Sequence, residues 1–535
     1  MTDILIIGAG GAGLVAALSG VEAGASVTVV SKSFPTRAQT SMAQGGINAS
    51  LGNSDEDSTK KHFDDTLKSS QGLADAKNIA YMSESAVEAI EWLDRIGVPF
   101  SRDSEGGIAQ RRLGGASAAR ACYSQDYTGL KILHTLYDNC NKADVSFINE
   151  YFLLNLITDN NQVGGATFLN IKTGEIEVIE AKTVILATGG YSRVYHKYST
   201  NASSSTGDGV AAALRAGARI SDMEYVQFHP TGLKNSSILI SESARGAGGH
   251  LLNASYERFT DELAPRDVLS SAIHKEIVSG SGEVYLDIRH LGEAFIDEEL
   301  PQERKLAKLY EGIDPVTDLI PIKPVAHYTM GGVAVDADTQ STIKGLFAVG
   351  ECANQSVHGA NRLGGNSLLE LIVFGKLAGV NAAKASKENV LRVDVSTIKT
   401  EEEAFLTTIA NYTNEVDFYT KYQQMGHIFY ENAGIVREAV QLTSVLDEVH
   451  YMLQELPKMG TKDSSHVYNT NRIEFLEFKN MLELAEVILV GALERKESRG
   501  AHSRSDMPHK DDALFGTHTM AWKEGGNLCI NFSKH

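Results

Sequence analysis

The chain begins MTDILIIGAGGAG, and these thirteen residues limit its fold more than any other stretch. Ile4 to Ile7 form an apolar run suited to a buried parallel strand. Gly8, Gly10 and Gly13 then spell G-x-G-x-x-G, with Gly11 inside it, and Leu14 to Leu18 suit a helix. The spacing has a steric cause: one glycine makes the tight turn, one lets a pyrophosphate approach the backbone, and one lets helix pack on strand. The helix N-terminus offers free N–H groups to phosphate. A second strand, Val27 to Val30, follows at the βαβ distance, so a dinucleotide site is expected. That strand ends in Ser31-Lys32, where a nicotinamide site would place a ribose-binding carboxylate, so another residue must hold the ribose or the cofactor is not NAD.

With 535 residues the chain exceeds one simple core, and about two to four domains are expected. A net charge of −19 argues against nucleic acid and anionic membrane surfaces, and demands a locally basic pocket for any anionic substrate. No apolar run reaches roughly 18 residues and the first strand comes at once, so neither a membrane span nor a signal peptide is expected. Cys122, Cys140, Cys352 and Cys529 are scattered, which points to a reducing cytoplasm, no metal site and no iron–sulfur cluster of the chain's own.

Phe34 to Asn48 has no periodicity and reads as a loop running along a ligand. Residues 55–95 read as helices, stopped by Gly97 and Pro99. Gln110 to Arg120 is a basic, glycine-containing loop, either a solvated turn or a lid over an anion, and Asp126 to Gly129 is expected to cap a helix running through Leu136. Thr183 to Ala187, before Thr188-Gly189-Gly190, and Leu346 to Val349, before Gly350-Glu351, repeat the strand–glycine unit. Three such units imply one nucleotide-binding sheet interrupted by an insertion, at 222–324, holding the strand Glu283 to Ile288 and a helix near Leu300 to Tyr310. Beyond residue 387 the pattern is helical: Phe475, Phe478, Leu482, Ala485 and Leu489 share a face that suits a bundle core. The tail from Glu497 reads as polar and loop-like. The expected fold is α/β: a Rossmann-like dinucleotide domain (1–221 and 325–386), an α+β cap (222–324), a helical domain (387–496) and a C-terminal tail or small domain (497–535).

Six motifs add a resemblance. AQGGIN (Ala43 to Asn48), QFHPTG (Gln227 to Gly232), ELAPRD (Glu262 to Asp267), AHYTMGG (Ala326 to Gly332), HGANRLGGNSLLE (His358 to Glu370) and SRGAHSR (Ser498 to Arg504) stand in this order. The chain resembles the flavoprotein (catalytic) subunit of the succinate dehydrogenase/fumarate reductase family from Ile4 to about Asp512. YLDIRHLG and GIDPV place it nearest the fumarate reductase branch. The resemblance implies FAD, with a cap closing over the isoalloxazine, and interconversion of fumarate and succinate. It further implies an iron–sulfur subunit, a membrane anchor beyond it, and a cytoplasmic chain held peripherally at the membrane's inner face.

Reducing a C=C bond flanked by two carboxylates needs anchors for two negative charges, a hydride donor and an opposing proton donor. His229, Ser241, His327 and Arg362 match the family's dicarboxylate-binding positions. Arg266 resembles its proton donor, with Glu242 and Arg245 as the relay that reprotonates it. Arginine holds its proton at ordinary pH, so this works only toward a strongly basic carbanion. Ala244 and Ala247 stand where the family often has Cys and a second Glu, leaving Glu242 as the relay's only carboxylate. The flavin contacts expected are Gly8, Gly10, Gly11, Gly13, Ser31, Lys32, Gln39, Thr40, Gln44, Gly45, Gly46, Ala187, Thr188, Gly189, Asp208, Glu351, Asn366, Ser367 and Leu368. Glu351 is the expected ribose ligand, and Asn366 with Ser367 should cap a helix starting at Leu368, whose N-terminus would face the flavin pyrimidine.

Gln39 stands where most of the family has the histidine that bonds the flavin covalently. An amide cannot form that bond, so noncovalent FAD, and turnover mainly toward succinate, are expected. L-aspartate oxidase, a sister family sharing several motifs and also lacking the histidine, is the nearest alternative; succinate oxidation by a true dehydrogenase is the second. A non-catalytic flavin-binding protein would leave the Arg and His set idle.

Overall fold

A computed structural model describes residues 1–280, 282–389 and 393–534. Its central sheet has seven strands. Thr2–Ile7 lies between Val27–Ser31 and Ile176–Leu186, and both pairings are parallel. Leu346–Ala348 adds in parallel to the far side of Ile176–Leu186. The three strand–glycine units therefore lie side by side although nearly 350 residues separate the outer two, because their apolar runs can be buried on both faces only in one sheet.

The turn after the first strand shows why it needs glycine. Gly8 has φ +111°, and a Cβ there would lie 2.2 Å from the Ala187 carbonyl oxygen. A Cβ on Gly13 would lie 2.0 Å from the Gly8 carbonyl oxygen, so the helix Gly11–Glu22 could not close onto its strand.

The insertion forms an antiparallel four-stranded sheet, Val226–Leu233, Ile320–Thr329, Val284–Asp287 and His250–Asn253 in spatial order, over its own apolar cluster of Leu251, Leu269, Ile273, Leu286 and Ile296. Pro301–Glu311 is its last helix. The helical part includes Val395–Ala410, Phe418–Asn432, Ala439–Glu455 and Thr470–Glu494. All five stripe residues from Phe475 to Leu489 are buried in a cluster that continues into the central sheet. The fold is thus a Rossmann-like dinucleotide domain carrying an inserted cap, with a helical domain after it. Among the described residues no helix is long and apolar enough to cross a membrane.

Three expectations change. The tail is not loop-like: His518–Glu524 and Asn527–Ser533 form a hairpin around Gly525-Gly526, and its first strand pairs with Ile220–Ser221. Asp126 does not cap its own helix, Thr128–Lys142, whose N-cap is Tyr127. Its carboxylate instead accepts the N–H groups of Gln302 and Glu303 at 2.7 and 3.1 Å, capping Pro301–Glu311 across the domain seam. The basic loop spends its cations internally. Arg120 is buried against Asp57 and Asp65, and Arg111 lies over the Tyr123 ring while donating to the carbonyls of Gly45, Gln44 and Gln125.

Candidate active site

One cavity gathers nearly every residue nominated from the sequence. Gly8, Gly10, Gly11, Ser31, Lys32, Gln39, Thr40, Gln44, Gly45, Gly46, Ala187, Thr188, Gly189, Asp208, Glu351, Ser367 and Leu368 line it, as do His229, Ser241, Glu242, Arg266, His327 and Arg362. Gly13, Arg245 and Asn366 do not. Gly13 serves helix–strand packing, and Arg245 is buried beside Glu242. The helix expected from Leu368 starts earlier, as Asn366–Ala385, with Gly365 at its N-cap. Asn366 is turned from capping by other partners: its amide donates to Thr66 Oγ1 and accepts from Asn48, and its oxygen lies 2.9 Å from His62 Nε2.

The part of the cavity built from the central sheet has two helix N-termini in its wall, those of Gly11–Glu22 and Asn366–Ala385. Gln44 Oε1 and Asn201 Nδ2 are buried without a hydrogen-bond partner and belong to cavity-lining residues. Orphaned polar atoms of this kind cost roughly 1–3 kcal/mol each unless a ligand meets them. Two helix N-termini, one after the glycine-rich turn for a pyrophosphate and one for the flavin pyrimidine, together with the unmet Gln44 and Asn201 amides, fit FAD. Glu351 uses one oxygen on the Thr329 N–H, at 2.9 Å, and burial pushes its pKa up to about 7. Gln39 Oε1 accepts the Ala202 N–H at 2.6 Å. Lys32 donates to Asp208 at 2.7 Å and to Glu477 at 2.5 Å, and Asp208 also accepts from Asn480. These charges are therefore held by the helical domain's Glu477 and Asn480, two partners that sequence spacing could not place.

The remainder lies where cap meets sheet. Arg266 begins the helix Arg266–Ser279 and donates through Nη2 to Glu242 Oε2 at 2.7 Å and through Nη1 to Gln227 Oε1 at 3.0 Å. Glu242, on the short helix Glu242–Gly246, also accepts the Gly114 N–H at 2.5 Å and stands 4.0 Å from Arg245 Nη2. Burial works against its charge, but Arg266, Arg245 and these hydrogen bonds prevail and hold its pKa below the ordinary carboxylate value. His229 and His327 lie 4.8 Å apart between ring centroids. Thr231 donates its N–H to His229 Nδ1 at 3.3 Å, and His327 Nδ1 is 2.8 Å from Thr200 Oγ1. Burial first, then neighbouring cations, drives both imidazoles far below their usual pKa, so both are neutral near pH 7. The Arg362 guanidinium lies 4.3 Å over the Tyr328 ring, and burial lowers its pKa to about 10. Arg266 Nε and Arg362 Nε are buried with no acceptor.

Several contributors escaped the sequence reading. Gln227 accepts from Arg266 while donating to the Asn361 side chain and the Arg362 carbonyl, each at 2.8 Å. Tyr328 underlies Arg362, and both it and Gln227 sat inside quoted motifs. The Gly114 N–H on Glu242 and the buried Glu303 carboxylate on Ser241 carried no sequence signal.

With this geometry in hand, the similarities to known proteins gain meaning. A family profile described as FAD binding domain matches residues 3–368, and one described as Fumarate reductase flavoprotein C-term matches 422–534. The chain is 41% identical to the 8-methylmenaquinol:fumarate reductase flavoprotein subunit of Wolinella succinogenes, over 97% of this chain and 88% of that one. It is 39% identical to the succinate dehydrogenase flavoprotein subunit of Rickettsia bellii, over 99% and 94%. Among solved structures, E. coli quinol fumarate reductase superposes with a TM-score of 0.95 at 36% identity, over 100% of this chain and 96% of that one.

Proposed function

The chain belongs to the flavoprotein-subunit family of fumarate reductases and succinate dehydrogenases, which are FAD-dependent oxidoreductases, and from that premise we propose that it works mainly as a fumarate reductase. One observation carries the dicarboxylate reading: Arg266 and Arg362, both lining the cavity, each keep a buried guanidinium N–H without an acceptor. In a molecule of net charge −19, such a concentration of unspent cationic donors selects a small anion.

Arg362 holds one substrate carboxylate, stiffened by Tyr328 beneath it and by the Gln227 bond to its carbonyl. Neutral His229 and His327 hold the other by N–H donation, their Nδ1 atoms being occupied by Thr231 and Thr200. FAD, when bound, supplies the hydride. Arg266 delivers the proton to the opposite face of the carbon, and Glu242, bonded to it at 2.7 Å, relays to the resulting guanidine a proton that reaches it from solvent by way of Arg245. Gly114 and Arg245 keep Glu242 in place and ionised between turnovers.

Gln39 sets the direction in this reading. Its amide is bonded to Ala202 and cannot link covalently to the flavin, so FAD is held noncovalently, by the two helix ends, Glu351 and the Gln44-Gly45-Gly46 turn. The covalent link of the resembled family is tied to succinate oxidation, so its absence favours fumarate. Electrons reach the flavin from an iron–sulfur subunit, with a membrane anchor beyond it, which holds this chain peripherally on the membrane.

Dye-linked assays of the purified complex in both directions test this reading, with faster fumarate reduction expected. A faster succinate oxidation overturns the direction, and iminoaspartate formation from L-aspartate overturns the substrate. Acid precipitation should leave a colourless pellet; a yellow one contradicts noncovalent FAD.

A further inference from the structure

Glu303 lies on the cap helix Pro301–Glu311 and is wholly buried. Its Oε1 accepts the Ser241 N–H at 2.9 Å and also the Ser241 hydroxyl hydrogen. Ser241 Oγ in turn accepts the Ser243 N–H at 3.2 Å. The hydroxyl has spent its only hydrogen and one lone pair, so what it can still offer the cavity is a lone pair. A substrate carboxylate also brings lone pairs, and two acceptors repel.

Across the domain seam stands Asp126, whose Oδ2 caps the same helix at Gln302 and Glu303. Glu303 Oε2 and Asp126 Oδ1 are both buried, and neither has a hydrogen-bond partner. Two buried carboxyl groups thus stand at the N-terminal end of one helix, each with one oxygen that no hydrogen bond uses. The other ionisable groups around them are Arg111, Tyr123, Tyr127 and Glu299, with Glu242 on the Ser241 side. Arg111, the cation of the set, donates to backbone carbonyls rather than to either carboxylate.

We propose that Glu303 is a positioning residue that must be protonated, and so neutral, for the Ser241 side of the cavity to accept a substrate carboxylate. Neutral Glu303 puts no buried charge behind Ser241. With the proton on Oε1 it donates to Ser241 Oγ and turns the hydroxyl hydrogen toward the cavity. One proton from solvent is taken up and nothing else changes hands. Burial, and then the Asp126 charge, raise the Glu303 pKa well above the ordinary carboxylate value, which suits a group that is neutral at working pH. The neighbouring imidazoles are neutral across this range, so they do not mimic the effect.

The inference rests on the dicarboxylate reading, and the test separates the two. Malonate, a non-reacting dicarboxylate, is titrated into the holoenzyme from about pH 6 to 9.5 by its effect on flavin absorbance, alongside KM for fumarate. The dissociation constant should be flat at first and then rise by up to about tenfold per pH unit as Glu303 ionises. E303Q should abolish the rise, and E303D should retain it. A wild-type slope in E303Q overturns the proposal. Should E303Q not fold, D126N answers instead: removing that charge should move the break to lower pH, and an unmoved break overturns the proposal equally. Malonate failing to bind wild type at every pH sinks the dicarboxylate reading, and the proposal with it.

Discussion

The chain buries two arginine clusters that look alike in sequence and differ in how their N–H groups are used. In the tail, Arg495 donates to Glu224, Glu497 and Thr519 and to the carbonyls of Phe515 and Thr517. Arg499 grips both oxygens of Glu497 and donates to the Gln71 carbonyl. Burial opposes both charges, yet these partners raise both pKa values above the ordinary arginine value. In the cavity, Arg266 and Arg362 keep unpartnered Nε atoms, and burial lowers the Arg362 pKa to about 10. Burying a guanidinium costs several kcal/mol that matched carboxylates can offset. The tail does this within the protein, whereas the cavity leaves part of it to a ligand. Buried charge alone therefore does not mark a site; unspent donors on arginines that line a cavity are what set this one apart.

The largest expected effect tests the cavity side. R266Q removes the proposed proton donor and strands Glu242, so dye-linked turnover per flavin should fall by about 10²–10⁴. Retained turnover would mean that Arg266 is as structural as Arg495. R495Q should behave in the opposite way. It leaves buried Glu224 without its cation and Glu497 with Arg499 alone, and should lower stability by about 3–5 kcal/mol in thermal or denaturant unfolding, with turnover per folded molecule unchanged. A folded R495Q holoenzyme that has lost turnover would break the contrast. R362M comes next. Losing one partner of a desolvated charge pair costs about 2–5 kcal/mol, so KM for fumarate and the malonate inhibition constant should rise together, by at least about thirtyfold. If both survive unchanged, the cavity is not a dicarboxylate site.

How far this contrast was legible in the sequence follows from its physics. The strand–glycine units were readable because a turn that admits only glycine leaves a local signature, as at Gly8. SRGAHSR and HGANRLGGNSLLE were equally readable as motifs, yet one holds the tail together while the other brings Arg362 to the cavity. Donor satisfaction is a property of three-dimensional neighbours. Arg495 meets Glu224 across 271 residues, a distance no spacing rule spans. Asp126 reads as a cap because Asp before a helix usually is one, and tertiary packing gives it to another helix instead. Glu303 lay in a polar helical stretch that reads as a solvated face, and only packing of the cap buries it behind Ser241. At Gln39 the sequence alone shows an amide where the resembled family carries a histidine.

The smallest effect sharpens the comparison most, because it asks whether the cavity recognises an anion by charge or by unspent hydrogen bonds. His327 has one ring nitrogen beside Thr200, and its pKa is driven far below the usual value, by burial first and then by Arg266 and Arg362. The neutral ring therefore carries no charge, and with the Thr200 hydroxyl donating to Nδ1 it would offer the proposed substrate carboxylate an N–H at Nε2. H327N should cost about 1.5–3 kcal/mol of substrate binding, a rise of roughly ten- to a hundredfold in KM, since the lost bond goes to a charged carboxylate. The pH dependence carries the discrimination. An imidazolium that bound the dianion by charge would lose affinity as pH rose through its pKa, so wild-type KM would climb between about pH 5.5 and 7 and H327N would flatten it. With the pKa depressed, no proton leaves in that window: wild-type KM should be flat there, and H327N should lift the whole line without changing its slope. A slope present in wild type and absent in H327N would show that the cavity, like the tail, works by paired charge.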